Sequence, residues 1–165
     1  MPELLIRRAT PDDRLPLSRM LELYNHDLSE FWPHDLDIHG EYGYELDRYW
    51  TKPEHYPFVV LAGGKFAGFA LVNDEVKVGS GGRWMDQFFV VRKYRRTNVG
   101  RSLAKYVFFD LPGNWELGQI HINYPAQAFW RSVIGEFTSG AFVEHTLAGG
   151  AWEGIIQSFQ STTTR

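Results

Sequence analysis

The stretch Phe88-Phe89-Val90-Val91-Arg92-Lys93-Tyr94-Arg95-Arg96-Thr97-Asn98-Val99-Gly100-Arg101 reads as an apolar strand that runs into a basic turn and then a helix. Asn98 tolerates a positive φ and Gly100 carries no side chain, so both suit a sharp entry into a helix. Successive backbone N–H groups at such a turn, aided by the helix dipole, form a concave site for an anion. Arg95, Arg96 and Arg101 would add charge-assisted contacts to phosphate oxygens. The Gly-Lys-Ser/Thr of a Walker loop is absent, and the glycines do not fit a Rossmann fingerprint. The residues alone leave two readings. One is a phosphate cradle for a ligand that also lies along the preceding strand; the other is a basic helix start that only aids solubility.

Working outward, residues 84–91 form a strongly apolar strand. Val99, Leu103 and Val107 recur at i, i+4, i+8, so Thr97 or Asn98 opens a helix that Pro112-Gly113 closes. Residues 115–122 read as the next strand, and the strand–helix–strand step predicts a right-handed crossover between parallel neighbours. Pro125 then starts a helix whose apolar stripe is Ala126, Phe129, Trp130, Val133 and Ile134. Two last strands, 141–147 and 151–159, are joined through Gly149-Gly150.

Upstream, residues 4–8 read as a short strand, and Thr10-Pro11-Asp12-Asp13 signals a helix start. Leu17, Met20, Leu21, Tyr24 and Leu28 carry that helix to Asn25 or Leu28, with Pro16 expected to bend it or delay its start. Residues 29–57 are irregular, with a short helix at 44–50. Strands 58–62 and 65–72 flank Gly63-Gly64, a pair suited to a two-residue hairpin turn, and 73–82 is loop. The order predicts one mixed α/β domain over residues 1–160, followed by a polar tail at 161–165.

The chain has 165 residues, 44% hydrophobic and 22% charged, enough to bury a core. No apolar run approaches the length of a membrane span, and the first residues, MPELLIRRAT, lack a secretory h-region, so a cytoplasmic protein with no membrane partner is expected. Cysteine is absent, which excludes disulfides, thiolate zinc sites and a catalytic cysteine. A net charge of −3 argues against a nucleic-acid partner. His26, His34, His39 and His55 lack compact metal-ligand spacing, so no metal is expected.

That small net charge hides two unlike segments. No acid occurs from Gln87 to Phe109, where Arg92, Lys93, Arg95, Arg96, Arg101 and Lys105 fall. From Tyr24 to Phe58, by contrast, eight acids face only Arg48 and Lys52, among nine aromatics. The pair reads either as two solvated faces or as an anion site beside an acidic, aromatic-walled site for a cation.

Arg95-Arg96-Thr97-Asn98-Val99-Gly100 after a hydrophobic strand resembles motif A of the GNAT (acetyl-CoA-dependent N-acetyltransferase) superfamily, Arg/Gln-x-x-Gly-x-Gly/Ala, with Asn98 in place of the first glycine. Asn123-Tyr124-Pro125-Ala126-Gln127-Ala128-Phe129-Trp130-Arg131-Ser132-Val133-Ile134-Gly135 resembles the family's Asn-x-x-Ala-x-x-Phe-Tyr-x-x-x-Gly-Phe element. The resemblance implies the acyl-CoA N-acyltransferase fold, an α+β mixed sheet of about seven strands with helices on both faces. It implies acetyl-CoA as cosubstrate and an amine acceptor as partner, and leaves a homodimer open. Phe88, Phe89 and Val90 would hold the pantetheine arm, and Arg95, Arg96, Thr97, Asn98, Val99, Gly100 and Arg101 would wrap the pyrophosphate. Asn123 would contact the arm, and Trp130 would stand at the coenzyme where many members carry a tyrosine acid. An indole N–H donates a hydrogen bond but is no acid near neutral pH.

The chemistry implied is direct transfer to an amine, small molecule or peptide. Asp86 and His121 are the candidates for the base that takes the amine proton, and Tyr124 is the candidate acid. Glu116, Asp27 and Glu30 could act through water. Tyr24, Asp27, Phe31 and Trp32 would wall the acceptor site, since carboxylates and aromatic faces suit a cation. The alternative is a catalytically weak acyl-CoA binding or sensing domain; a structural or nucleic-acid-binding domain is the third reading.

Overall fold

Short apolar runs separated by glycine turns, with two helical stripes between them, become the following order: β1 (Leu4–Arg8), α1 (Arg14–Leu28), α2 (Arg48–Thr51), β2 (Tyr56–Ala62), β3 (Lys65–Asn73), β4 (Arg83–Val90), α3 (Val99–Asp110), β5 (Gly113–Gln119), α4 (Tyr124–Thr138), β6 (Phe142–Leu147) and β7 (Gly154–Ser161). The structure is a computed structural model that describes residues 2–150 and 152–162. Among these residues seven strands form one mixed sheet in the order β1-β2-β3-β4-β5-β7-β6. β4 and β5 are parallel neighbours, as the strand–helix–strand pattern requires. The chain clusters into two units, Met1–Leu71 with Gln87–Leu103 and Val72–Asp86 with Ala104–Arg165.

In the first unit, β1 pairs antiparallel with β2 from Leu4↔Ala62 to Arg8↔Phe58. Gly63 and Gly64 take φ 55° and 76°, the two positive values a tight hairpin into β3 demands. Leu17, Met20 and Leu21 of α1 bury against Val59, Phe69, Leu71 and Phe89, each contributing about 1.5–3 kcal/mol by leaving water. The helix start differs from expectation in detail. Pro11–Asp13 form a 3-10 turn and α1 begins only at Arg14, so Pro16 lies in the first turn, where its missing N–H costs nothing. Thr10 is the N-cap of the 3-10 turn and Asp13 completes its capping box: the Asp13 carboxylate accepts the Thr10 N–H at 2.8 Å and two Arg7 guanidinium bonds at 2.6 and 3.0 Å.

In the second unit, β7 pairs antiparallel with β5, from Gly113↔Ser161 to Gln119↔Ile155, and with β6. The Phe108 ring centres a cluster, 5.0 Å from Trp115, 5.2 Å from Phe137 and 4.9 Å from Phe159. Trp130 belongs to the same cluster and is 6% exposed. Two buried amides, Gln119 and Gln157, donate to each other's oxygens at 2.8 and 2.9 Å, which satisfies polar groups that burial would otherwise penalise.

Several element bounds shift. The short helix expected at 44–50 is α2, Arg48–Thr51. β5 stops at Gln119, so His121 lies in the turn after the strand and is exposed. β7 continues through Ser161, one residue into the expected polar tail. Ser161 is buried and donates its hydroxyl to the Phe108 carbonyl, which extends the strand. Residues 163–165 of that tail, and Ala151 at the start of the expected last strand, lie outside the described residues.

Candidate functional site

The turn between β4 and α3 belongs to the first unit, and its backbone is unusual. Arg95 has φ −70°, Arg96 φ 60° and Asn98 φ 70°. Thr97 is not among the residues of positive φ, so the sign alternates along four residues. Alternation of this kind is the backbone pattern by which a turn can direct N–H groups toward one concavity, a nest for anions. The Arg95 N–H itself donates to the Arg92 carbonyl at 3.2 Å. Asn98 then leads into α3: its carbonyl accepts the Ser102 N–H at 3.0 Å. The Thr97 hydroxyl donates to the Tyr94 carbonyl and braces the turn from inside. Backbone N–H groups, the start of α3 and the exposed Arg96 give the turn the chemistry of an anion site.

Below the turn, β4 is held close to β3. Val91 N–H donates to Ala67 O at 2.8 Å, and a Cβ on Gly68 would fall 2.3 Å from the Phe89 carbonyl oxygen. The Phe89 ring is buried and meets Tyr24 and Phe69 edge-on or tilted at 5.9 and 5.8 Å. Phe88 and Val90 are half-buried on the same strand. Within the second unit the parallel ladder of β4 with β5 carries two pairs, Arg83↔Trp115 and Trp84↔Glu116.

The basic turn reaches α1 through one carboxylate. Asp27 Oδ1 accepts from Arg92 Nη2 at 3.2 Å, and Oδ2 accepts from Arg95 Nη2. Arg95 also donates Nε to the Val90 carbonyl at 2.9 Å and stacks over Phe89, 5.5 Å from the ring centre. The first unit thus brings together Tyr24, Asp27, Phe89, Val90 and Arg95. One turn beyond Asp27, Phe31 is half-buried and Trp32 is 67% exposed.

Other acids of the 24–58 segment have local tasks. Asp37 accepts the N–H groups of His39 and Glu41 at 2.8 and 3.0 Å, and Asp47 pairs with Arg14. Tyr49 and Phe58 are core residues, 2% and 0% exposed.

The remaining candidates belong to the second unit. Asp86 is half-buried on β4. Asn123 is the N-cap of α4: its Oδ1 accepts the Ala126 N–H at 3.2 Å, so the motif asparagine starts the helix. Tyr124 opens α4 and is 68% exposed. Gln127 donates to the carbonyls of Ile120 and His121 at 3.1 and 2.9 Å, closing the turn that carries His121. Glu116 is buried and clamps a loop: it accepts the N–H groups of Lys77, Val78 and Gly79 at 2.7, 2.9 and 2.7 Å. Among the described residues no group of three or more His, Cys, Asp or Glu is placed to hold a metal ion. None of the described helices is long and apolar enough to cross a membrane.

Two residues of the first-unit site, Gly68 and Arg92, are not singled out by any motif in the sequence. Gly68, inside an apolar strand, was the visible sign of a close backbone approach. In the sequence Arg92 stands only as part of a basic run, and nothing local marks it as a partner of Asp27.

The family model described as the acetyltransferase (GNAT) family matches residues 17–135. No curated protein matches. Among solved structures, an acetyltransferase from Thermus thermophilus is 16% identical with a TM-score of 0.67, covering 97% of this chain and 99% of that one. The ribosomal-protein-S18-alanine N-acetyltransferase of Escherichia coli is 16% identical with a TM-score of 0.62, covering 99% and 97%. The spermidine N-acetyltransferase of Vibrio cholerae, in complex with CoA and spermine, is 15% identical with a TM-score of 0.62, covering 96% and 95%. At these identities the likeness is one of fold. The family match spans most of the chain and takes in the strand, the anion nest and the α4 cap, and the chain belongs to the GNAT acetyltransferase family.

Proposed function

We propose that the chain is an N-acetyltransferase that moves an acetyl group from acetyl-CoA to an amine, of a small molecule or a peptide, by direct transfer in a ternary complex. The observation that carries the reading is the turn of alternating φ at 95–98, set between β4 and α3. Its N–H groups, with Arg96 and Arg101, bind the pyrophosphate. The β4 backbone at Phe88–Val90 aligns the pantetheine arm in a strand-like way, and Asn123 and Trp130 are assigned to the coenzyme by their motif positions.

Bound acetyl-CoA supplies the activated acetyl group, on a thiol of pKa about 8.5 that leaves readily. The chain's own work is to orient the amine and move a proton. A lysine-like amine of pKa about 10.4 must lose a proton before it attacks the thioester carbon. Asp86 is our first candidate for that base, with His121 the second. The exposed Tyr124 hydroxyl is the candidate donor to the departing sulfur, a role worth about 10²–10⁴-fold where an acid is well placed. With no cysteine in the chain, no cysteinyl acyl-enzyme forms.

Phe31 and Trp32 present aromatic faces to a cationic acceptor. An amine acceptor is further supported by two relatives, one named for spermidine and one for a protein alanine. A thiol-release assay with acetyl-CoA and a panel of polyamines and peptides tests the reading. The expected result is thiol release that depends on the amine.

One observation favours a second reading. Trp130, at the position of the usual tyrosine acid, is packed with Phe108 and Phe129 and is 6% exposed. A domain that binds acyl-CoA and turns it over slowly would show coenzyme binding without amine-dependent release.

A further inference from the structure

We propose that Asp27 is a positioning residue for the coenzyme cradle: it acts through Arg95, and Arg95 in turn is a bracket for the turn and not a phosphate ligand. The inference rests on the acetyl-CoA reading above. Both carboxylate oxygens of Asp27 are taken, one by Arg92 and one by Arg95. The guanidinium of Arg95 is occupied on three sides: Nε holds the Val90 carbonyl, Nη2 holds Asp27, and its face lies over Phe89. An arginine so engaged joins the last residue of β4 to α1.

The next residue, Arg96, stands at φ 60°, a conformation that a non-glycine residue keeps only where its surroundings over-determine it. The bracket supplies that constraint immediately before the nest. Phosphate charge is then met by the N–H groups and by Arg96 and Arg101. Asp27, 28% exposed, is thereby withdrawn from the acceptor wall.

The test is calorimetric titration of CoA into the wild-type protein and the D27N, D27E, R95K and D27N/R95K variants, with a thermal melt of each. Asn leaves the bracket half made, and D27N is expected to weaken CoA binding about tenfold, the loss of one charge-assisted bond. D27E, which keeps the carboxylate, is expected to recover most of that loss. R95K, lacking the planar fork, matches D27N, and the double variant is no weaker than either because both remove one unit. If Asp27 were only a counter-charge, D27N would free two cations and tighten binding. Binding by D27N equal to or tighter than wild type overturns the proposal, as does a D27E variant no better than D27N. A wild-type protein that binds no CoA removes the acetyl-CoA reading itself, an outcome separate from any difference among the variants.

Discussion

A Cβ on Gly68 would lie 2.3 Å from the carbonyl oxygen of Phe89 and 3.2 Å from the Cα of Val90. β3 therefore admits β4 at this point only because position 68 has no side chain. Gly68→Ala must push the Phe89–Val90 backbone away, and overpacking of this kind costs about 1–3 kcal/mol. The melting temperature should fall by about 2–4 °C per kcal/mol, and CoA affinity should fall with it, since the displaced residues are those assigned to the arm. An alanine variant with wild-type melting and wild-type affinity would show that the close approach serves neither.

Asn98 holds φ 70° at the mouth of α3. Asn98→Gly keeps that conformation and should bind CoA within about twofold of wild type, whereas Asn98→Val pays the left-handed cost of about 1–2 kcal/mol. CoA titration of the valine variant should read roughly tenfold weaker binding. Equal affinities for Gly and Val would remove the nest from the account.

Asp86, if it takes the amine proton, serves turnover and not coenzyme binding. Asp86→Asn should lower kcat by about 10²–10⁴-fold while leaving CoA affinity near wild type. An unaltered kcat would clear Asp86 and turn attention to His121.

The Arg7 guanidinium, bonded twice to Asp13, holds that carboxyl below the usual aspartate range, against a smaller opposing effect of burial. The unfolded chain binds the proton more readily, so the pair stabilises the fold fully above the ordinary value of about 4. The contribution is lost as pH falls through the lower folded value. Thermal melts from pH 7 to pH 2 should therefore steepen at the acid end, and Asp13→Asn should both lower stability at pH 7 and flatten that slope. A wild-type slope in the asparagine variant would contradict the assignment.

Much of the fold was legible because its signals are local. Two glycines between apolar strands marked the β2–β3 hairpin, and an apolar strand before a basic turn marked β4 and α3. Asn98 disclosed its left-handed backbone by residue type. Arg96 did not, because arginine has no preference for that region and adopts it here within a braced turn. The apolar run through Ile122 predicts a strand that includes His121, but Gln127 reaches back to the carbonyls of Ile120 and His121 and closes a turn there.

What stayed hidden was pairing at long range. The acidic segment and the basic segment were both plain in the sequence, and an acidic wall for a cationic substrate was the natural reading. Composition carries no record of which acid meets which base across 68 positions of chain. Asp27 turns out to be spent on Arg92 and Arg95, and Asp37 on its own loop. The small net charge of −3 is thus partly an internal neutralisation around the nest.

The most direct test of acetyl transfer is free-thiol release from acetyl-CoA by the wild-type protein, measured with and without each amine of a panel of polyamines and short peptides. The account predicts release that rises with protein and saturates with one class of amine. Release that stays at the amine-free level across the panel, from a protein shown by calorimetry to bind CoA, would contradict it.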